Sequence, residues 1–122
     1  MLSRVDRIQL AVPDRAAAAK GWTALLGAEP AGEDTVQSLG AKRTSLRLGT
    51  GWIELVEPDG AGVVADALAK RGAHLFSAGV ACPDLDDLLK VLNDKGVHPA
   101  LEHGQAFLDP GQTGIAGLRM VV

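Results

Sequence analysis

Residues 11–14 read Ala-Val-Pro-Asp, and seventy positions later residues 81–84 read Ala-Cys-Pro-Asp. Lys20 and Lys90 are separated by the same distance. In each copy an alternating apolar stretch precedes the Pro-Asp pair, and a helix-like segment that ends at a glycine follows it. An internal repeat of this kind indicates a fold built from two similar modules.

The first copy predicts a strand followed by a helix. Ile8, Leu10 and Val12 alternate with polar or small residues, which is the pattern of a half-buried strand. Asp14 suits the N-cap of a helix, because its side chain can accept hydrogen bonds from the free backbone N–H groups of the first turn. Gly27 is a typical helix stop. We therefore predict a helix between Asp14 and Gly27.

The remaining segments give each copy the order βαβββ. The predicted elements are an extended stretch at 31–37, a hairpin of strands 44–48 and 52–57 around Gly49-Thr50-Gly51, a connecting helix at 60–71, a strand at 75–82, a helix from Pro83-Asp84 to Gly96, strands at 97–102, 106–108 and 118–122, and a loop at 109–115. Four strands and one helix are too few to bury a sheet face alone. We therefore predict one domain over residues 1–122, with module 1 at about 3–58, a linker helix at about 60–72 and module 2 at about 73–122.

Composition limits the classes of partner. The 122 residues are 47% hydrophobic and 22% charged, with a net charge of −3 and no basic cluster denser than Lys42-Arg43. We expect neither nucleic-acid binding nor a membrane span. The start of the chain lacks an apolar signal segment, and Cys82 is the only cysteine. These features favour a cytoplasmic protein, in which Cys82 is a buried structural thiol, and the edge strands favour a homodimer.

Four stretches carry a resemblance to a known family. They are Val-Asp-Arg-Ile-Gln-Leu-Ala-Val-Pro-Asp (5–14), Trp-Ile-Glu-Leu-Val-Glu-Pro (52–58), Val-Ala-Asp-Ala-Leu-Ala-Lys-Arg-Gly (64–72) and Ala-Phe-Leu-Asp-Pro (106–110). With them the chain resembles the vicinal oxygen chelate superfamily of glyoxalases, bleomycin-resistance proteins and dioxygenases, and its middle is most similar to the methylmalonyl-CoA epimerase branch. The resemblance implies an α+β fold in which two tandem βαβββ modules form a curled mixed sheet around a cavity.

The resemblance also implies where a metal ion would bind. Relatives take metal ligands from four strand positions, which fall on Arg7, Glu54, Ser77 and Arg119 in this sequence. Only Glu54 is a good ligand, because a serine hydroxyl binds metals poorly and a protonated guanidinium has no lone pair to offer. We therefore expect no metal site and no cofactor.

The same positions suggest a binding site for a small molecule. Strand alternation places Arg7 and Gln9 on the same face of their strand, and it places Trp52 and Glu54 on the same face of theirs. Together with Ser77 and Arg119, they are expected to line a pocket for a small anionic or carbonyl-bearing ligand.

Three functions remain open for this set. Glu54 could act as a general base in proton transfer next to a carbonyl, as in an isomerase, epimerase or lyase of the superfamily. The protein could instead bind an antibiotic without chemistry, like bleomycin-resistance proteins. Alternatively, Glu54 could neutralise Arg7 and Arg119 in a buried network that only fills the cavity.

Two further alternatives concern other parts of the chain. In a shifted register, His74 could join Glu54 and either His98 or His103 in a metal site. The loop predicted at 109–115 could be a plain turn or a lid over the pocket.

Overall fold

The computed structural model describes residues 1–115 and 119–122. The chain divides into two compact units. One unit is residues 7–76, and the other joins residues 1–6 to residues 77–122. The predicted strand at 118–122 begins at a residue outside the described part.

The order of elements confirms the predicted α+β fold with two βαβββ modules. The elements are β1 (Arg4–Ala11), α1 (Arg15–Leu26), β2 (Glu29–Val36), a 3-10 turn (Gln37–Leu39), β3 (Ala41–Leu48), β4 (Gly51–Pro58), α2 (Val63–Arg71), β5 (His74–Ala81), α3 (Leu85–Asp94), β6 (Ala100–Glu102), β7 (Gln105–Leu108), α4 (Pro110–Thr113) and β8 (Met120–Val121). The strands pair in the order β2-β3-β4-β1 in the first unit and β5-β8-β7-β6 in the second.

Several predicted boundaries were wrong. The segment predicted as a loop at 109–115 contains α4, because Asp109 caps it and Pro110 occupies its first turn. The hairpin turn has two residues rather than three, since Leu48 already pairs with Gly51. The strand predicted from 97 begins only after Pro99, which has no N–H to donate to a strand neighbour.

In the unit of residues 7–76 the apolar core lies between α1 and one face of the sheet. β1 and β4 run parallel. The core cluster contains Ile8, Leu10, Val12, Ala18, Ala19, Trp22, Ala28, Leu46, Ile53 and Leu55. Because side chains alternate along a strand, the residues between these apolar positions lie on the opposite face of the sheet.

In the other unit α3 packs on the sheet in the same way. The buried cluster beneath α3 consists of Val80, Leu88, Ala106, Leu108, Met120 and Val122. Cys82 packs against this cluster on the helix side, but it is only partly buried. Its Sγ donates to the carbonyl of Asp84 at 3.3 Å. The thiol is therefore less buried than the sequence predicted.

Asp14 forms the predicted N-cap of α1, and Asp84, predicted as a helix start, forms the same cap on α3. The Asp14 Oδ1 accepts from the Ala17 N–H at 3.1 Å, and the Asp84 Oδ1 accepts from the Asp87 N–H at 3.0 Å. We expect Asp14→Ala and Asp84→Ala each to lower the free energy of unfolding by about 1 kcal/mol, because each leaves a helix N–H unsatisfied. Urea denaturation measures the loss. Asp94→Ala, at the other end of α3, is the control, and an equal loss there would contradict the assignment.

None of the helices in the described residues is both long and apolar enough to cross a membrane.

Candidate functional site

A polar face lies opposite the α1 core in the unit of residues 7–76. In the β1–β4 ladder Arg7 aligns with Trp52, and Gln9 aligns with Glu54. Gln9 is 1% exposed and Glu54 is 5% exposed. The Gln9 Nε2 donates to the Glu54 Oε1 at 2.8 Å. Four of the six site residues predicted from the sequence thus lie side by side on two neighbouring strands.

Arg43 on β3 is a central member of this face that the sequence analysis missed. Its side chain is 4% exposed. The Nε donates to the Asp34 Oδ1 at 2.8 Å, and the Nη2 donates to the Asp34 Oδ2 at 2.6 Å. The Nη1 lies 3.5 Å from the Glu54 Oε1. The Arg43 guanidinium therefore contacts two carboxylates: it binds Asp34 in a bidentate manner and lies close to Glu54.

Electrostatics keep Arg43 charged. Burial lowers the pKa of its guanidinium, but the hydrogen bond to Asp34 and the negative charge of Glu54 outweigh burial, so the pKa is raised above its ordinary value. A buried carboxylate needs a nearby counter-charge, and Arg43 provides one for Glu54. The expected network of Arg7, Glu54 and Arg119 did not include this residue.

The open end of the polar face is cationic and aromatic. Trp52 aligns with Arg7 on β1 and with Arg47 on β3. The Arg47 Cζ lies 4.5 Å from the centroid of the Trp52 ring, which is a cation–π contact. Arg47 was also not predicted as a site residue. Arginines on the strands at either side of a partly buried indole favour an anionic or conjugated ligand.

The last two predicted site residues lie together in the other unit. Ser77 is 3% exposed, and its Oγ donates to the Arg119 carbonyl at 3.0 Å. The Ala78 N–H donates to the same carbonyl at 3.1 Å. The Ser77 hydroxyl therefore fixes the backbone next to β8. Burial lowers the pKa of the Arg119 guanidinium, and the charge of Asp109 opposes this effect.

The residues at the four positions implied by the resemblance do not fit a divalent metal ion. Glu54 faces the Arg43 guanidinium, and the Ser77 hydroxyl is bonded to the backbone. Arg7 and Arg119 offer no lone pair. Across residues 1–115 and 119–122, no three His, Cys, Asp or Glu side chains are grouped closely enough to hold a metal.

The alternative histidine set is not assembled in the described part of the chain. The His74 Nδ1 lies 2.7 Å from the Gly72 carbonyl oxygen, and its ring contacts Phe76 edge to face. The His98 Nδ1 lies 2.8 Å from the Asn93 Oδ1. Two of the three histidines are therefore held by local contacts.

Solved structures share this fold. A hypothetical protein from Bacillus halodurans C-125 is 23% identical, with 97% of this chain and 91% of that chain covered and a TM-score of 0.77. A Streptomyces coelicolor methylmalonyl-CoA epimerase variant in complex with 2-nitronate-propionyl-CoA is 24% identical, with 99% and 93% covered and a TM-score of 0.81. Methylmalonyl-CoA epimerase from Mycobacterium tuberculosis is 23% identical, with 98% and 86% covered and a TM-score of 0.81.

Sequence comparison identifies the family. Comparison with curated proteins gave no match. The family model for the glyoxalase/bleomycin resistance protein/dioxygenase superfamily matches residues 6–113. That match covers most of both modules, and the structural similarity agrees with it. The chain therefore belongs to the glyoxalase/bleomycin resistance protein/dioxygenase superfamily.

Proposed function

We propose that this protein binds a small anionic or carbonyl-bearing organic molecule on its polar face, without a divalent metal ion. One observation carries the proposal: Glu54, the only carboxylate among the implied ligand positions, is already engaged by Gln9 and Arg43. Arg7 stands where relatives carry a histidine, and a guanidinium can hold a carboxylate or carbonyl oxygen by charge-assisted hydrogen bonds. Ser77 and Arg119, which lie in the other unit, stay predictions from the sequence as binding residues.

The related structures support a small-molecule ligand. Methylmalonyl-CoA epimerases with this fold have been solved in complex with 2-nitronate-propionyl-CoA and with methylmalonyl-CoA. Acyl-CoA thioesters combine a carbonyl with anionic groups, so they are the first class of compound to test. A cytoplasmic location and a homodimer stay predictions from the sequence.

We further propose that the bound molecule undergoes proton transfer next to a carbonyl, with Glu54 as the base. Both described contacts of this carboxylate are made by Oε1, so Oε2 is the oxygen that would accept a substrate proton. A base must lie within hydrogen-bond reach of the proton that it removes. An arginine of the polar face would stabilise the enolate oxygen that forms. Return of the proton from Glu54 to a different atom of the enolate, or to the other face of the same carbon, would complete an isomerisation or an epimerisation.

Binding without chemistry is the second candidate, and the partly buried Trp52 ring is the observation that favours it. A partly buried indole offers a flat surface for a large conjugated drug, as in an antibiotic-binding protein. A thermal-shift screen separates the candidates, because a ligand that binds only the native state raises the melting temperature. Carboxylic acids and acyl-CoA thioesters should stabilise an enzyme of the proposed kind, whereas cationic glycopeptide antibiotics should stabilise a drug-binding protein.

Glu54→Gln tests the base. We expect a fall in turnover of at least about 100-fold on a substrate from the screen, because the amide cannot accept the proton. Glu57→Gln is the matched control, since Glu57 lies on the same strand and bonds the Arg15 N–H at the start of α1. Unchanged turnover in Glu54→Gln would remove the base assignment. Ligand binding, followed by Trp52 fluorescence in a Trp22→Phe background, should persist in Glu54→Gln.

Metal analysis tests the other half of the proposal. Protein purified without chelator should contain no stoichiometric zinc, iron, manganese or cobalt, and EDTA should leave ligand binding unchanged. We expect no metal because three of the four implied ligand positions carry poor ligands: two are guanidiniums and one is a hydroxyl bonded to the backbone. One equivalent of any of these metals, measured by elemental analysis, would overturn metal independence.

A further inference from the structure

An apolar cavity of about 270 Å³ lies in the unit of residues 1–6 and 77–122. We call it the α3 cavity. Its walls include Leu88 and Leu92 of α3 and Met120 of β8, and among the described lining residues only Thr113 and Lys95 are polar.

The α3 cavity is separate from the polar residues of the same unit. Met120 and Val122 line it and belong to the apolar cluster beneath α3. Arg119 and Val121 alternate with them, so they lie on the other face of the sheet. The cavity therefore does not include Arg119, which the proposed function uses.

Local hydrogen bonds hold the rim of the α3 cavity in place. The Val97 N–H donates to the Leu92 carbonyl at 2.9 Å, which fixes the turn that leaves α3. The Gln112 Nε2 donates to the His98 carbonyl at 2.9 Å, which ties α4 to that turn. The rim residues Val97 and Thr113 therefore belong to segments that are joined to each other.

We propose that the α3 cavity binds a medium-chain carboxylic acid, with the alkyl chain inside and the carboxylate at Lys95. Apolar walls of this kind favour an apolar ligand, because the ligand and the walls both remove apolar surface from water on binding. A methylene occupies about as much volume as a water molecule in the liquid, roughly 30 Å³. A cavity of about 270 Å³ therefore matches a chain of eight to ten carbons.

Lys95 decides between an acid and a neutral ligand. It forms the C-cap of α3, where the carbonyl end of the helix is electronegative. A carboxylate at this position depends on the Lys95 ammonium, whereas the hydroxyl of an alcohol does not. Removal of the ammonium should therefore weaken the binding of an acid and leave the binding of the matching alcohol unchanged.

Methionine NMR provides the test with the intact protein. The chain has two methionines, Met1 and Met120, so ¹³C-methyl labelling gives two signals. Decanoate should shift the Met120 signal until the shift saturates, whereas a shift that grows linearly with the decanoate concentration would indicate non-specific effects. Each methylene buried should tighten binding about fourfold, so affinity should rise from hexanoate through octanoate to decanoate. A Met120 signal that decanoate leaves unmoved below its micelle concentration would overturn the proposal.

Two variants test the carboxylate contact. Lys95→Met should weaken decanoate binding about fivefold and leave decanol binding unchanged, as expected for one exposed ion pair. Lys90→Met is the matched control, because Lys90 lies on the same helix outside the cavity lining and is 78% exposed. Equal weakening in both variants, or an equal loss of decanol and decanoate in Lys95→Met, would overturn the role of Lys95.

Discussion

Arg43→Met is expected to lower the free energy of unfolding by about 3–5 kcal/mol, the range seen when one partner of a buried ion pair is removed. Arg43 is the described counter-charge of Glu54 and makes both hydrogen bonds to Asp34. Methionine preserves much of the side-chain volume, so the loss reports charge rather than packing. Urea denaturation at pH 7 followed by circular dichroism measures it.

Two further variants separate the charge effect from other causes. The double variant Arg43→Met with Glu54→Gln should be more stable than Arg43→Met alone, because it contains no unpaired Glu54 carboxylate. Arg47→Met on the same strand is the matched control and should cost about 1 kcal/mol or less, since it removes only the exposed contact with Trp52. A loss below about 1 kcal/mol in Arg43→Met would contradict a buried, stabilising counter-charge.

Gly40→Ala is expected to destabilise the protein by about 2–4 kcal/mol, because a left-handed backbone conformation and a backbone clash act together. Gly40 has φ of +59°, and a Cβ built there would lie 2.7 Å from the Ala61 carbonyl oxygen and 3.1 Å from the Gly62 Cα. These contacts are with backbone, which cannot move aside like the end of a long side chain. The loss is measured by urea denaturation.

Gly27→Ala separates the two causes. Gly27 has φ of +73°, and a Cβ there meets nothing within 4 Å. Gly27→Ala should therefore lower the free energy of unfolding by about 1 kcal/mol, which is the cost of the left-handed backbone conformation alone. Equal losses in Gly27→Ala and Gly40→Ala would show that the clash with Ala61 adds nothing to the loss in free energy of unfolding.

The sequence predicted those features of the fold that depend on neighbours along the chain. Asp14 was identified as a helix cap and Asp84 as a helix start from their positions along the chain, and both side chains form N-cap bonds. The repeated Pro-Asp motif revealed the two modules for the same reason. The helix α4 was missed although Asp109 and Pro110 are typical starting residues, because its four residues are too few to show a helical period.

The partners of the site residues could not be predicted in the same way, because they come from different strands. The pairing of Gln9 with Glu54 requires the alignment of β1 with β4, which no turn connects directly. Arg43 could have been found. A two-residue turn at Gly49-Thr50 pairs Arg43 with Val56 and so places it on the face of Glu54. The three-residue turn that was predicted obscured this alignment.

The bidentate contact between Arg43 and Asp34 also fixes the register of the edge strand β2 against β3. β2 reads Glu-Pro-Ala-Gly-Glu-Asp-Thr-Val and buries only its last residue, so apolar contacts do little to choose one alignment over another. A slip of one residue against β3 would carry Asp34 to the opposite side of the strand, so that the buried Arg43 guanidinium would lose its bidentate partner and keep only the longer contact to Glu54. The ion pair thus fixes the register of this edge strand, which has too few buried apolar side chains to fix it by packing.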